Sequence, residues 1–200
     1  ETHSGWAWDL SGHPLFVSQQ NRTDRFEACR IDTQDYPNSC ITFFNHTNVG
    51  YAGVHFAKMP PSKPGYVLAS FYVNAGQWQQ NTYYPSFNKV RNGDYVYAAS
   101  SSGTSGRSQP SWPTTIGATI GDGTVTWKKW GYNWVQNSIV MMEIDNEGNN
   151  PTIWRVSPGY NDYRGNYRDE GSASISLDGN SVWWTANWDD SITGHGEVYS

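Results

Sequence analysis

A repeated hairpin constrains this chain more than any other feature. Trp8–Asn21, WDLSGHPLFVSQQN, overlays Ile175–Trp188, ISLDGNSVWWTANW, without a gap, setting Leu10 on Leu177, Gly12 on Gly179, Leu15 on Val182, Phe16 on Trp183 and Ser18 on Thr185. The second copy lies in Arg168–Trp188 and reads as strand, tight turn, strand. Apolar residues alternate through Ala173, Ile175 and Leu177, Asp178-Gly179 makes the turn, and Val182–Thr185 climbs out again. Asp-Gly between β-favouring runs is a strong hairpin signal, because a primed turn needs positive φ, which Gly adopts at little cost. A hairpin that recurs implies repeated units, each burying its face against its neighbours.

Taken in order, the chain spells out such units. Thr2–Trp8, Leu15–Gln19, Phe26–Asp32 and Ser39–Phe44 are expected as four consecutive antiparallel strands, the content of one β-propeller blade. A second unit starts at Ala52–Lys58, whose His55 answers His3 of the first, and passes through the Pro-rich 59–64 to Tyr66–Tyr72. Its third and fourth strands come only at Ser138–Asp145 and Thr152–Ser157. A third unit opens at Asp169, has strands at Ser172–Leu177 and Ser181–Ala186, begins another at Glu197 and lacks a fourth. Trp183 and Trp184 are expected to plug between blades, one facing each neighbouring sheet, since strand side chains alternate.

An insertion, about Gln77–Tyr132, interrupts the second unit. Gly, Ser, Thr and Pro punctuate short β runs in it (Asp94–Ala98, Thr124–Trp127), which reads as a small β module docked on the blade edge. Its Trp78, Tyr83, Tyr84, Phe87, Trp112 and Trp127 argue against a disordered linker, which has no use for so much burial-hungry surface. The expected organisation is therefore all-β: propeller blades over 1–76, the inserted module over 77–132, and the rest of the second blade with the start of the third over 133–200.

Composition agrees with that class. Aromatic residues make up 16% of the chain, with 11 Trp and 13 Tyr, and charged residues only 16%. A net charge of −5 leaves no basic footprint for nucleic acid. No run approaches the ~20 apolar residues of a membrane-spanning helix. Cys29 and Cys40 stand 11 apart. If their segments are neighbouring strands joined by TQDYPN, the thiols meet in a disulfide across the hairpin; the alternative is two buried free thiols. Asn21-Arg-Thr and Asn45-His-Thr are glycosylation sequons that matter only in a eukaryotic source. No signal peptide opens the chain, so the expectation is that one was removed or that this is a piece of something longer.

Two likenesses follow from these residues. PGYVLASFY, then IVMMEID, TIWRVS, EGSASISLDGNSVWWTANW and EVY, resembles the closing blades of secreted or periplasmic bacterial propellers of the TolB-like/WD40-like type. The insertion is similar to a short module of phage tail, receptor-binding and bacterial surface proteins. Gly103-Thr104-Ser105-Gly106, Pro110-Ser111-Trp112-Pro113 and Asp122-Gly123-Thr124-Val125-Thr126-Trp127 carry that match. The resemblance implies an extracellular or virion setting, often with glycan contact, and identifies no ligand. Propellers close rings of roughly 4–8 blades. With fewer than three here, the remaining blades are expected from a longer chain or from other copies.

First strands of blades line the central channel, which would gather His3, Trp6, His55, Asp169 and Glu170 into a polar, aromatic-rimmed pocket for an oligosaccharide or a metal. Sugar sites stack aromatic faces on a pyranose while carboxylates and amides take its hydroxyls. The plainer alternative makes His3 and His55 structural, each bonded to a neighbouring blade's backbone. Trp78, Tyr83, Tyr84 and Trp112 form a second candidate site, divided between the module's own core and a binding patch. A lyase or hydrolase would pair His55 with Tyr160 or Tyr163, but the chain has no nucleophile elbow, HExxH or phosphate loop. Asp189-Asp190 with Asn187 would make a Ca²⁺ loop, yet such carboxylates are usually only solvated, and no metal or other cofactor is expected. The leading functional expectation is a non-catalytic extracellular propeller segment that binds glycan or another surface component. The alternatives are a structural subunit of an appendage, filament or virion, and a polysaccharide lyase or hydrolase on a propeller scaffold.

Overall fold

Period-two alternation builds the first sheet from β1 (Ser4–Trp8), β2 (Pro14–Gln20), β3 (Arg25–Arg30) and β4 (Cys40–Asn45), antiparallel and in sequence order. The computed structural model describes residues 3–20, 25–34, 39–45, 53–72, 75–93, 95–130, 135, 137–144, 152–159, 171–186 and 197–199. Pairs such as Ala7↔Leu15, Gly5↔Val17 and Val17↔Ala28 put small and aliphatic residues on one buried face. Trp6, Phe16 and Cys29 fall on the other, because successive side chains point to opposite sides. Cys29 and Cys40 are cross-strand partners joined by a disulfide, with Cα atoms 4.0 Å apart.

The second sheet starts with β5 (Gly53–Phe56) and β6 (Tyr66–Tyr72). The chain then leaves it for the insertion, whose strands are β7 (Gly76–Gln77), β8 (Tyr83–Tyr84), β9 (Lys89–Asn92), β10 (Tyr95–Ser101), β11 (Gly103–Thr104), β12 (Thr119–Asp122) and β13 (Val125–Trp130). On return, β14 (Ser138–Glu143) pairs directly with β6, from Phe71↔Ser138 to Tyr66↔Glu143, and β15 (Ile153–Pro158) completes a sheet of order β15-β14-β6-β5. A third sheet holds β16 (Ala173–Ile175), β17 (Val182–Ala186) and β18 (Glu197–Tyr199). Every regular element among the described residues is a strand, and none of these sheets closes on itself.

One hydrophobic core runs through all three sheets. Phe26 of β3 is fully buried at its centre, its ring 5.4 Å from Phe44 of the same sheet and 5.2 Å and 5.8 Å from Phe56 and Phe71 of the second. Ala173, Ile175, Val182 and Trp184 bring the third sheet onto that core, with β16 against β6. Trp183 points to the opposite, open side. The connections at one end also stack. A Cβ on Gly65 would lie 2.7 Å from Leu10, and one on Gly179 would lie 2.3 Å from Lys63, while Ser62 donates to the Leu177 carbonyl at 2.9 Å.

The repeated turns share their internal bonding. The Gly12 amide donates to Asp9 O and the Gly179 amide to Ser176 O, both at 2.9 Å, and both glycines hold positive φ, 84° and 74°. A side-chain oxygen at the equivalent position closes each turn: Asp9 Oδ1 accepts from His13 N at 2.8 Å and Ser176 Oγ accepts from Asn180 N at 3.1 Å. Two expectations need correction. Leu177 ends no strand. It is 89% exposed in the turn, because Ser176 Oγ also accepts from Ser181 N and donates to Asp178, ending β16 at Ile175. The overlay also gains a one-residue offset in its first strand. The loop after Ile175↔Val182 spans 176–181, whereas that after Trp8↔Pro14 spans 9–13. Such a slip exchanges the faces of a strand, so Ile175 packs in the core while its counterpart Trp8 does not.

The module has a core of its own, built on Tyr84, Val90, Tyr97, Ala99, Val125 and Trp127. Its main sheet has the order β12-β13-β10-β9-β7, with β7 parallel to β9, and a β8–β11 ribbon covers one side.

Candidate functional site

The first strands of sheets one and two come together side by side. Trp6 and Lys58 form a parallel bridge, Met59 N donates to Trp6 O at 2.8 Å, and a Cβ on Gly5 would stand 2.7 Å from that of Phe56. Glycine is what lets the strands approach so closely. The approach brings His3 and His55 together, ring centroids 4.9 Å apart and edge-on. Tyr72 joins them, stacked on His55 at 5.1 Å and 27°. Its ring occupies the space above its cross-strand partner Gly53, where a Cβ would fall 2.1 Å away. Tyr72 was not among the expected site residues. The signal for it is a glycine opposite an aromatic, two positions from a histidine on the same face.

Trp6 is set apart from this cluster. Strand alternation places His3 with Gly5 and Ala7, and Trp6 on the reverse face, where it is 43% exposed and packs edge-on to Phe16 at 5.9 Å. Glu170, Asp169, Tyr160, Tyr163, Asn187, Asp189 and Asp190 lie outside the described residues. Glu27 approaches Cys29 and Cys40, but the two sulfurs are bonded to each other and offer no thiolate to a metal.

Between the turn ends of sheets one and two lies a cavity of about 130 Å³, walled by Leu15, Ala28, Ile41 and Ile144, with Asp9 and Arg30 as its charged lining. Arg30 forks onto Asp32 at 3.0 Å and 2.9 Å. Burial pushes the Asp9 carboxyl up, but the His13 backbone amide and ring outweigh it and hold Asp9 below the usual carboxylate range.

In the module, Asp122 organises the residues around it. It is 5% exposed and accepts from Trp78 Nε1 at 2.7 Å, Trp127 Nε1 at 2.9 Å and Gly106 N at 2.7 Å. Ser105 Oγ donates to Gln79 O at 2.6 Å and accepts from Thr82 N at 2.9 Å. Gly103 and Gly123 stand where a Cβ would be 2.3 Å from a backbone oxygen, of Thr124 and Thr104 respectively. Tyr97 Oη donates to Pro113 O at 2.9 Å, and Trp112 packs on the Tyr97 ring at 4.2 Å. The residues of the GTSG, PSWP and DGTVTW segments therefore hold the module's fold.

This arrangement divides the second candidate site. Trp78 is tied to Asp122, Tyr84 is buried against Trp127 at 4.8 Å, and Trp112 lies against the same core. Tyr83 is 65% exposed. Phe87, four residues on, is 74% exposed at φ 66°. A bulky residue in the left-handed region costs about 1–2 kcal/mol, and Phe87 gains little burial in return. Lys129 is also unexpected: 1% exposed, it donates to Trp130 O at 3.2 Å, lies 4.9 Å from the Tyr95 ring, and is brought by burial down to about 8.

No protein family, curated protein or solved structure matches the chain. A functional reading therefore rests on its residues and their geometry.

Proposed function

We propose that the chain is a non-catalytic, extracellular recognition segment. Its stacked sheets are an arc of β-propeller blades, and its inserted module makes the contact with glycan or another surface component. One observation carries this reading: the insertion has its own core and leaves at a point where β6 and β14 pair across its base, so the sheets do not need it to hydrogen-bond. A well-built excursion that the scaffold can do without is where recognition is usually placed. The propeller arrangement draws support from the parallel approach of β1 to the second unit, from the shared core and from the stacked turns. The disulfide fits an oxidising compartment, and among the described residues no helix is long and apolar enough to cross a membrane.

A structural-subunit reading is favoured by the open outer faces, Trp6 with Phe16 on sheet one and Trp183 on sheet three, against which further sheets would pack. Binding to a glycan array, with no release of unsaturated sugar from acidic polysaccharides, is the expected outcome. Turnover would replace the proposal with a lyase. Concentration-dependent assembly without sugar binding would replace it with the structural subunit.

A further inference from the structure

We infer that the module carries a preformed site for an uncharged oligosaccharide, with the exposed rings of Tyr83 and Phe87 as its stacking platform. This rests on the glycan reading above and names its site and ligand class. Three observations converge. First, both rings are presented to water, at 65% and 74% exposure, while their neighbours Tyr84 and Val90 are buried, so the module's core does not account for them. Second, Phe87 is held at φ 66° by its surroundings: its amide donates to Ala99 O at 2.8 Å, and Asn88 N donates to Pro85 O at 3.1 Å. A strained backbone that turns an aromatic outward points to a task beyond folding. Third, the two stretches that carry the rings and pair beside them are polar without charge. Residues 77–88 and 95–106, which meet through Tyr83↔Thr104 and the Phe87–Ala99 hydrogen bond, contain no Asp, Glu, Lys or Arg.

The loop beside Tyr83 is fixed as well. Gln79 N donates to Tyr84 Oη at 2.7 Å, Thr82 N to Ser105 Oγ at 2.9 Å and Asn81 N to Gly106 O at 3.1 Å, leaving the Gln79, Gln80 and Asn81 side chains at the surface. Rigid aromatic faces flanked by amides and hydroxyls match a pyranose, whose C–H face stacks while its hydroxyls take hydrogen bonds. Holding the backbone in place beforehand lowers the ordering cost of binding. An acidic glycan would call for cationic partners; these two stretches supply none, the nearest in sequence being Lys89 and Arg107 at their edges.

The test titrates the whole chain with neutral gluco-, manno- and N-acetylglucosamine oligosaccharides, and with oligogalacturonate as the acidic counterpart, at low and high ionic strength. A neutral series should bind with little dependence on salt, and Tyr83→Ala and Phe87→Ala should each weaken binding about tenfold or more. Phe87→Asn separates function from folding, because Asn tolerates positive φ. It should leave Tm unchanged or raised while losing affinity to the same extent. Neutral binding that survives these substitutions, or that is lost instead on Trp6→Ala, overturns this site and leaves the glycan reading standing. Salt-sensitive binding of oligogalacturonate alone overturns the ligand class. Binding to no sugar in the folded chain overturns both the site and the reading beneath it.

Discussion

Asp122 ties together three separate stretches of the module, at Trp78, Gly106 and Trp127. Its buried carboxylate receives two indole N–H groups and one backbone amide. Hydrogen bonds to a charged acceptor are each worth about 1.5–3 kcal/mol and do not add fully. Asp122→Ala should therefore cost the module about 3 kcal/mol, read as an early unfolding transition in tryptophan fluorescence. Lys129 makes the opposite kind of prediction. Its folded-state value is brought down from 10.5 to about 8 by burial, so over that interval the unfolded chain holds a proton that the folded chain has shed. Stability should rise with pH across the window, and Lys129→Met should flatten the rise in denaturant titrations. The window closes near pH 10, where tyrosine in the unfolded chain begins to ionise while buried Tyr97 is held up to about 12, which reverses the slope. Lys129 did not stand out in the sequence, and Asp122 did so only as the opening of the DGTVTW segment. Asp-Gly-Thr announces a turn, but nothing local reveals that Trp78, 44 positions away, shares its carboxylate.

At the scale of elements, the strands were readable because a half-buried sheet writes its period into the chain; Tyr66–Tyr72 and the four strands of the first sheet emerge nearly as expected. What alternation does not encode is where a strand stops. Leu177 continues the apolar pattern after Ile175, yet Ser176 has already closed the turn with its hydroxyl. Phe87 was equally hidden, since Pro-Ser-Phe-Asn carries no glycine to flag positive φ. The paired turns offer a direct comparison. Gly12 has open space where a Cβ would go, so Gly12→Ala measures backbone strain alone, about 1–2 kcal/mol. Gly179→Ala meets the Lys63 chain as well, and should lower Tm further; equal losses would show that the second and third units are not held against each other at that turn.

For the molecule as a whole, Phe26 joins the first two sheets, and the core it centres reaches the third. Phe26→Ala should cost about 3–5 kcal/mol and lower the unfolding midpoint of all three sheets together. Loss of the first sheet alone would mean that the stack is not cooperative. The candidate channel site was legible in part. His3 and His55 do meet, because repeats put equivalent residues on equivalent strands, but Trp6 lies on the other face, where it is exposed. If recognition belongs to the inserted module and the sheets support it, hydrogen–deuterium exchange with and without a bound neutral oligosaccharide shows where the ligand sits. Protection should appear in peptides from 77–106 and leave β1, β5 and the paired histidines His3 and His55 unchanged. Protection centred on His3, His55 and Tyr72, with none in the module, would contradict it.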